Sequence, residues 1–181
     1  VIQYMVVGVP GSFFFFKNLG GKLAIDNDKE NESAIVKQDT AVTSLSDKRI
    51  QAGVLEPSDI YLSIVVPAFN EATRLPNAIL DMQSYCKQAG FTYEIIIVDD
   101  GSSDRTIEVV NKFKEVSPEL KLLSLPRNRG KGYAVKFGVL NSSGKYVIYA
   151  DADGATPFSE IERLITAIKE GADIAIGSRA L

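Results

Sequence analysis

Two carboxylates lie two residues apart in the stretch Tyr146–Pro157, which reads YVIYADADGATP. The run Tyr146–Ala150 is of strand length and rich in β-formers, so it reads as a buried strand. In an extended chain, residues i and i+2 point to the same side. Asp151 and Asp153 are therefore expected to converge at the carboxyl end of that strand, with Ala152 turned away. Carboxylates this close repel unless something positive lies between them. A hard divalent cation with a preference for oxygen ligands, Mg²⁺ or Mn²⁺, fits that role.

Four further groups of chemistry-bearing residues each follow an apolar run. In Pro67-Ala68-Phe69-Asn70-Glu71, Phe69 could stack on a base and Glu71 could accept from ribose hydroxyls. The plainer reading is a turn plus a carboxylate at a helix start, where the dipole favours it. In Asp99-Asp100-Gly101-Ser102-Ser103-Asp104, Asp99 or Asp100 could accept from a uracil or ribose group, or the segment could be turn and capping chemistry. Pro126–Gly132 carries Arg127, Arg129 and Lys131 with two glycines at a helix start, a plausible anion cradle or simply solvated charge. In Gly177-Ser178-Arg179, Arg179 could meet a diphosphate bidentately.

The 181 residues contain no His, which removes Ser-His-Asp, Cys-His and His-zinc chemistry. An enzyme built from this chain has to rely on carboxylates, Lys, Arg, backbone dipoles and metal. The net charge of −3 and the lack of a basic tract argue against a nucleic-acid partner. Cys86, the single cysteine, excludes an internal disulfide and reads as a small buried hydrophobe.

These groups need elements to position them. Residues 1–16 are apolar but interrupted by Pro10, Gly11 and Ser12, and read as the remnant of a membrane anchor or of a signal sequence that has lost its start, or as an irregular apolar end. Residues 17–59 are polar and without period, a linker or arm. From Ile60 the pattern alternates. Strands are expected at Leu62–Pro67, Tyr93–Val98, Leu120–Leu125, Lys145–Ala150 and Asp173–Gly177, with Pro67 ending the first ladder. Helices are expected at Thr73–Ala89, Asp104–Val116 (capped by Ser102 or Ser103), Lys131–Asn141 (opened by Gly130) and Pro157–Glu170. The last has Thr156 as N-cap, Pro157 at its first position and Gly171 as its stop. Continuous apolar strands alternating with amphipathic helices predict an α/β domain over residues 60–181, its mostly parallel sheet covered on both faces. Ligands bind such sheets outside the carboxyl ends of the strands, where all five groups fall.

In that order, SIVVPAFNE, IIIVDDGSSDRT, NRGKGYA and the D-x-D of YADAD resemble family 2 glycosyltransferases of the GT-A fold. FTYEIIIVDDGSSDRT, NRGKGYAVKFGVLNSSGKY, ADADGATPF and IAIGSRA are most similar to the dolichyl-phosphate glucosyltransferase branch. The resemblance spans about Leu62 to Arg179. It implies an inverting transfer of glucose from UDP-glucose to dolichyl phosphate, at the endoplasmic reticulum membrane with the catalytic domain facing the cytosol. On the matching positions it implies that Pro67, Phe69 and Glu71 line a uridine pocket and that Asp99 or Asp100 reads the base. Gly101, Arg127 and Lys131 would belong to the same nucleotide-binding set. Asp151 would lie near ribose and sugar. Asp153 would be the principal Mg²⁺ or Mn²⁺ ligand, Asp151 sharing the metal site, and Arg179 would contact phosphate or acceptor. Mannosyl relatives carry a glutamine where this chain has Ala155, which cannot ligate, so water or phosphate would complete the shell.

A lipid monophosphate has a second pKa near 6. As an acceptor it would already be an anionic nucleophile, consistent with a chain lacking His. The start without Met and the end at Leu181 read as a piece of a longer product, expected to bind donor and to turn over weakly or not at all by itself. The rival readings are another family 2 transferase, mannosyl or polysaccharide-forming, and a non-catalytic nucleotide-sugar-binding fragment. A hydride-transfer enzyme is disfavoured, since no G-x-G-x-x-G follows the first strand. Asn31-Glu32-Ser33 and Asn141-Ser142-Ser143 match the N-glycosylation pattern, for which chance is the default reading of so short a motif, and neither would be used by a domain facing the cytosol.

Overall fold

The computed structural model describes residues 14–17, 59–172 and 174–177. Residues 1–13 and residues 18–58 of the expected polar arm lie outside these, as does Arg179, while Lys17 falls in a strand. One sheet of six strands has the order β4-β3-β2-β5-β1-β6. Its strands are β1 (Phe14–Lys17), β2 (Leu62–Ala68), β3 (Tyr93–Asp99), β4 (Leu120–Ser124), β5 (Tyr146–Tyr149) and β6 (Ile174–Ile176). Strands β4, β3, β2 and β5 run parallel, as the alternation of strand and helix requires.

The period of two along each strand explains why these runs are apolar throughout. Ile64 and Val66 of β2, Ile95 and Ile97 of β3 and Ile148 of β5 join one core. Their neighbours Val65, Ile96, Val98 and Val147 join a second core on the opposite face. The first core is closed by Leu75, Ile79, Met82 and Cys86 of helix α1 (Leu75–Gln88) and Val110 of α2 (Thr106–Lys114). Ile161, Leu164, Ile165 and Ile168 of α4 (Ile161–Lys169) complete it. The second is covered by α3 (Lys131–Leu140), through Ala134 and the partly buried Phe137. Helix α3 lies close because Gly138 faces the sheet. A Cβ there would run into the side chains of Val65 and Val98.

Several boundaries differ from expectation for identifiable reasons. Pro67 does not end the ladder: it pairs with Val98, and Ala68 pairs with Asp99 and accepts the Asp100 N–H at 2.8 Å. Val65 bonds toward β5, accepting from Ala150, so Pro67 presents its missing N–H on that side, beyond the last β2–β5 pair, Val65 with Tyr149. Neither Ser102 nor Ser103 caps α2. The N-cap position is Arg105, which makes no side-chain cap bond; Asp104, one residue earlier, accepts the Thr106 N–H at 2.9 Å, while the Ser102 hydroxyl accepts the N–H of Asn70. Pro157 stays extended at ψ 135°. A 3₁₀ turn, Phe158–Glu160, leads into α4, and Asp81 of α1 accepts the Phe158 N–H at 2.9 Å. The sheet also draws in a segment ahead of Ile60. Strand β1 runs antiparallel between β5 and β6, pairing Phe14 with both Tyr149 and Ile176. No helix among the described residues is long and apolar enough to cross a membrane.

Candidate functional site

The parallel strands end along one edge, and the loops that follow them enclose a cleft of about 490 Å³, within the range of small-molecule sites. It opens where the chain order reverses between β2 and β5, the position at which α/β sheets bind ligands. The β2 loop supplies Pro67, Ala68, Phe69, Glu71 and Arg74. Asp100 follows β3, and Asn128, Gly130 and Lys131 lead into α3. Asp151, Ala152 and Asp153 follow β5.

The adjacent carboxylates after β3 have different work. Asp99 is fully buried and turns back on its own loop, its two oxygens 3.3 and 3.4 Å from the Ser102 N–H. It lies behind the cleft wall, not in it. Asp100, also buried, faces the loop before α3, where Oδ1 accepts the Arg129 N–H at 2.7 Å and Oδ2 the Gly130 N–H at 2.8 Å. Gly101 makes that contact possible: at φ +73°, a Cβ there would sit 2.6 Å from the Arg127 carbonyl carbon. Gly101 and Arg127 therefore meet through backbone, and the exposed Arg127 side chain is not part of the cleft. Asn70, at φ +56°, joins the β2 and β3 loops by accepting the Ser103 N–H at 2.9 Å.

Phe69 is 46% exposed, an aromatic surface offered at the cleft. Glu71 Oε1 takes the Arg74 guanidinium at 2.6 Å, while Oε2 is buried with no hydrogen-bond partner. A carboxylate oxygen in that position is an acceptor waiting for a donor. Arg74 joins the site without appearing among the residues expected there. Its signal in the sequence is the i,i+3 spacing to Glu71.

On the far wall, β5 stops at Tyr149, and Ala152 and Asp153 lie in a turn. The extended i, i+2 geometry expected for Asp151 and Asp153 is thus replaced by a turn that still brings both to one cleft, with Ala152 buried. Asp151 Oδ1 accepts from Lys131 Nζ at 2.7 Å and from the Tyr149 hydroxyl at 2.6 Å. Burial, and then the bond to Asp151, push the Tyr149 hydroxyl pKa well up. In the sequence, Tyr149 reads only as a β-former. Asp153 Oδ1 accepts the Ala155 N–H at 3.0 Å. No third Asp, Glu or Cys joins these two in a ligating cluster among the described residues. A pair of carboxylates suits Mg²⁺ or Mn²⁺ bound with water and ligand phosphate.

A family model described as "Glycosyl transferase family 2" matches residues 63–181. The Dictyostelium discoideum protein named dolichyl-phosphate beta-glucosyltransferase is 48% identical over 113 residues, 59% of this chain and 35% of that protein. The Homo sapiens protein of the same name is 41% identical over 132 residues, covering 66% and 41%. The chain thus spans well under half the length of these relatives. Among solved structures, S. aureus TarS 1-349 in complex with UDP-GlcNAc is 27% identical with a TM-score of 0.49, covering 61% of this chain and 32% of that one.

Proposed function

The chain belongs to glycosyl transferase family 2, and from that premise we propose that it forms the donor-binding part of an inverting transferase that moves glucose from UDP-glucose to dolichyl phosphate. The observation that carries this reading is the convergence of Glu71, Asp100, Lys131, Asp151 and Asp153, from four separate loops, on one cleft. The relatives' shared name supplies the sugar and acceptor. A polyprenyl acceptor places the reaction at a membrane surface, and we assign it to the cytosolic face of the endoplasmic reticulum.

Within this reading, Phe69 stacks on the uracil and Glu71 Oε2 takes a ribose hydroxyl as its missing donor. Asp100 acts through the backbone: it fixes the loop whose Gly130 opens α3, so that a helix N-terminus and Lys131 face the diphosphate. Asp151 and Asp153 would hold Mg²⁺ or Mn²⁺, which when bound neutralises charge on the UDP leaving group. The acceptor phosphate arrives already anionic, so this site requires no histidine base.

Calorimetric titration with UDP-glucose and with GDP-mannose, each with and without Mn²⁺, tests the proposal. Metal-dependent binding of UDP-glucose alone is expected, and Asp153→Ala should abolish the metal dependence while leaving the thermal unfolding midpoint in place. Preference for GDP-mannose would move the chain to the mannosyl branch, and binding of neither would remove the donor-site reading.

A further inference from the structure

We infer that Tyr149 is a positioning residue for Asp151, and that Lys131 is an exchangeable counter-ion of the same carboxylate. The inference rests on the donor-site reading above and assigns roles within it. Both groups donate to one oxygen, Oδ1 of Asp151, at 2.6 and 2.7 Å. Their tethers differ. Tyr149 is 4% exposed and sits in the sheet, paired with Val65 of β2 on one side and Phe14 of β1 on the other. Lys131 is the first residue of α3, its side chain 41% exposed, on a flexible stem at the cleft.

Charge separates the two roles. The Tyr149 hydroxyl is neutral, so its bond to Asp151 would persist if that carboxylate held a cation, as outer groups orient metal ligands. Lys131 is itself a cation, so it would be repelled from Asp151 if that carboxylate held a divalent ion, and it would be attracted to the diphosphate of a nucleotide. Lys131 would then pass from Asp151 to phosphate, while the Tyr149 bond would go on orienting the carboxylate. Before ligand arrives, Lys131 offsets the mutual repulsion of Asp151 and Asp153.

The test uses the whole chain with Tyr149→Phe, which keeps the buried ring and removes only the hydroxyl. UDP affinity is measured with and without Mn²⁺. Tyr149→Phe should bind UDP like the parent without metal and lose roughly 10-fold in the enhancement that Mn²⁺ confers, the scale of lost outer-shell orientation. Lys131→Met should weaken UDP with and without metal. An unchanged Mn²⁺ enhancement in Tyr149→Phe overturns the inference. So does a variant that loses thermal stability and UDP affinity together while its metal enhancement stays that of the parent, because that is a packing role. Mn²⁺ alone, followed by electron paramagnetic resonance, reads Tyr149 without any nucleotide. If the parent chain takes no UDP, the functional reading fails, and equal Mn²⁺ affinity in parent and Tyr149→Phe still overturns the inference.

Discussion

Asp100→Asn separates a carboxylate that builds the site from one that reads a ligand. The replacement is nearly isosteric. Asp100 now accepts two backbone N–H groups, from Arg129 at 2.7 Å and Gly130 at 2.8 Å, at a residue only 3% exposed. An asparagine can accept one of them. Its amide group then faces the other, so one backbone N–H loses its acceptor and a buried NH₂ gains a repulsive neighbour. A hydrogen bond to a charged group is worth about 1.5–3 kcal/mol, and a stranded buried donor adds about 1–3 kcal/mol. Partial relaxation of the loop brings the expected loss to about 3 kcal/mol. The loop can open without the sheet unfolding, so amide hydrogen exchange is the assay that sees it. Protection at the Arg129 and Gly130 amides should fall roughly 100-fold, since about 1.4 kcal/mol is a factor of ten, and this loss should be present without any nucleotide. Equal protection of both amides in parent and variant would refute the assignment. A variant that loses nucleotide affinity while keeping that protection would return Asp100 to the role of direct reader.

Other outcomes follow from the same structure. Gly101→Ala puts a methyl group 2.6 Å from the Arg127 carbonyl carbon at φ +73° and should cost about 2 kcal/mol or more, read by urea denaturation; Gly154→Ala, which meets nothing within 4 Å, controls for the positive φ alone. Burial pushes the Cys86 thiol up to about 12. Native protein should therefore resist thiol reagents at neutral pH, with labelling that tracks unfolding in denaturant; rapid labelling of folded chain would contradict the burial. Burial raises the Asp104 carboxyl pKa, but hydrogen bonds from the Thr106 hydroxyl and from the N–H groups of Thr106 and Ala72 pull it below the usual carboxylate value. Its stabilising effect is present above that usual value and is lost as pH falls through the lower folded one. Denaturation midpoints of Asp104→Ala and parent should then converge in acid, and a constant gap would refute the stabilising role of these bonds.

Residue patterning made some of this legible and concealed the rest. The parallel strands could be read because Ile95–Val98 and its counterparts are apolar on both faces, which only a sheet covered twice permits. Their order also placed the loops at one edge. Asp99 and Asp100 could not be told apart, because adjacent carboxylates have the same composition and opposite directions. What decides between them is the Asp100 N–H bond to Ala68 and the approach of the loop before α3, which Asp100 holds through the N–H groups of Arg129 and Gly130. Strand β1 was hidden for another reason. A short apolar run carries no mark of its partner, and Phe14–Lys17 finds its partners only in residues from the far end of the chain. The turn at Ala152–Asp153 was missed because the apolar run gives no signal of where pairing stops.

The pairing of β2 with β5 also sets a timetable. Strand β5 joins the sheet beside β2, with β3 and β4 formed on the other side in between. A growing chain can zip β2, β3 and β4 as soon as they exist, because each contact spans one strand–helix unit. The wall that carries Asp151 and Asp153 must wait for a closure across everything between Leu62 and Tyr146, and such distant pairings are slow to nucleate. A half-assembled sheet therefore already has Glu71 and Asp100 in place yet has no opposing wall. Nucleotide capture would then report completion of folding, and saturating ligand would slow unfolding at the β2–β5 seam before anywhere else.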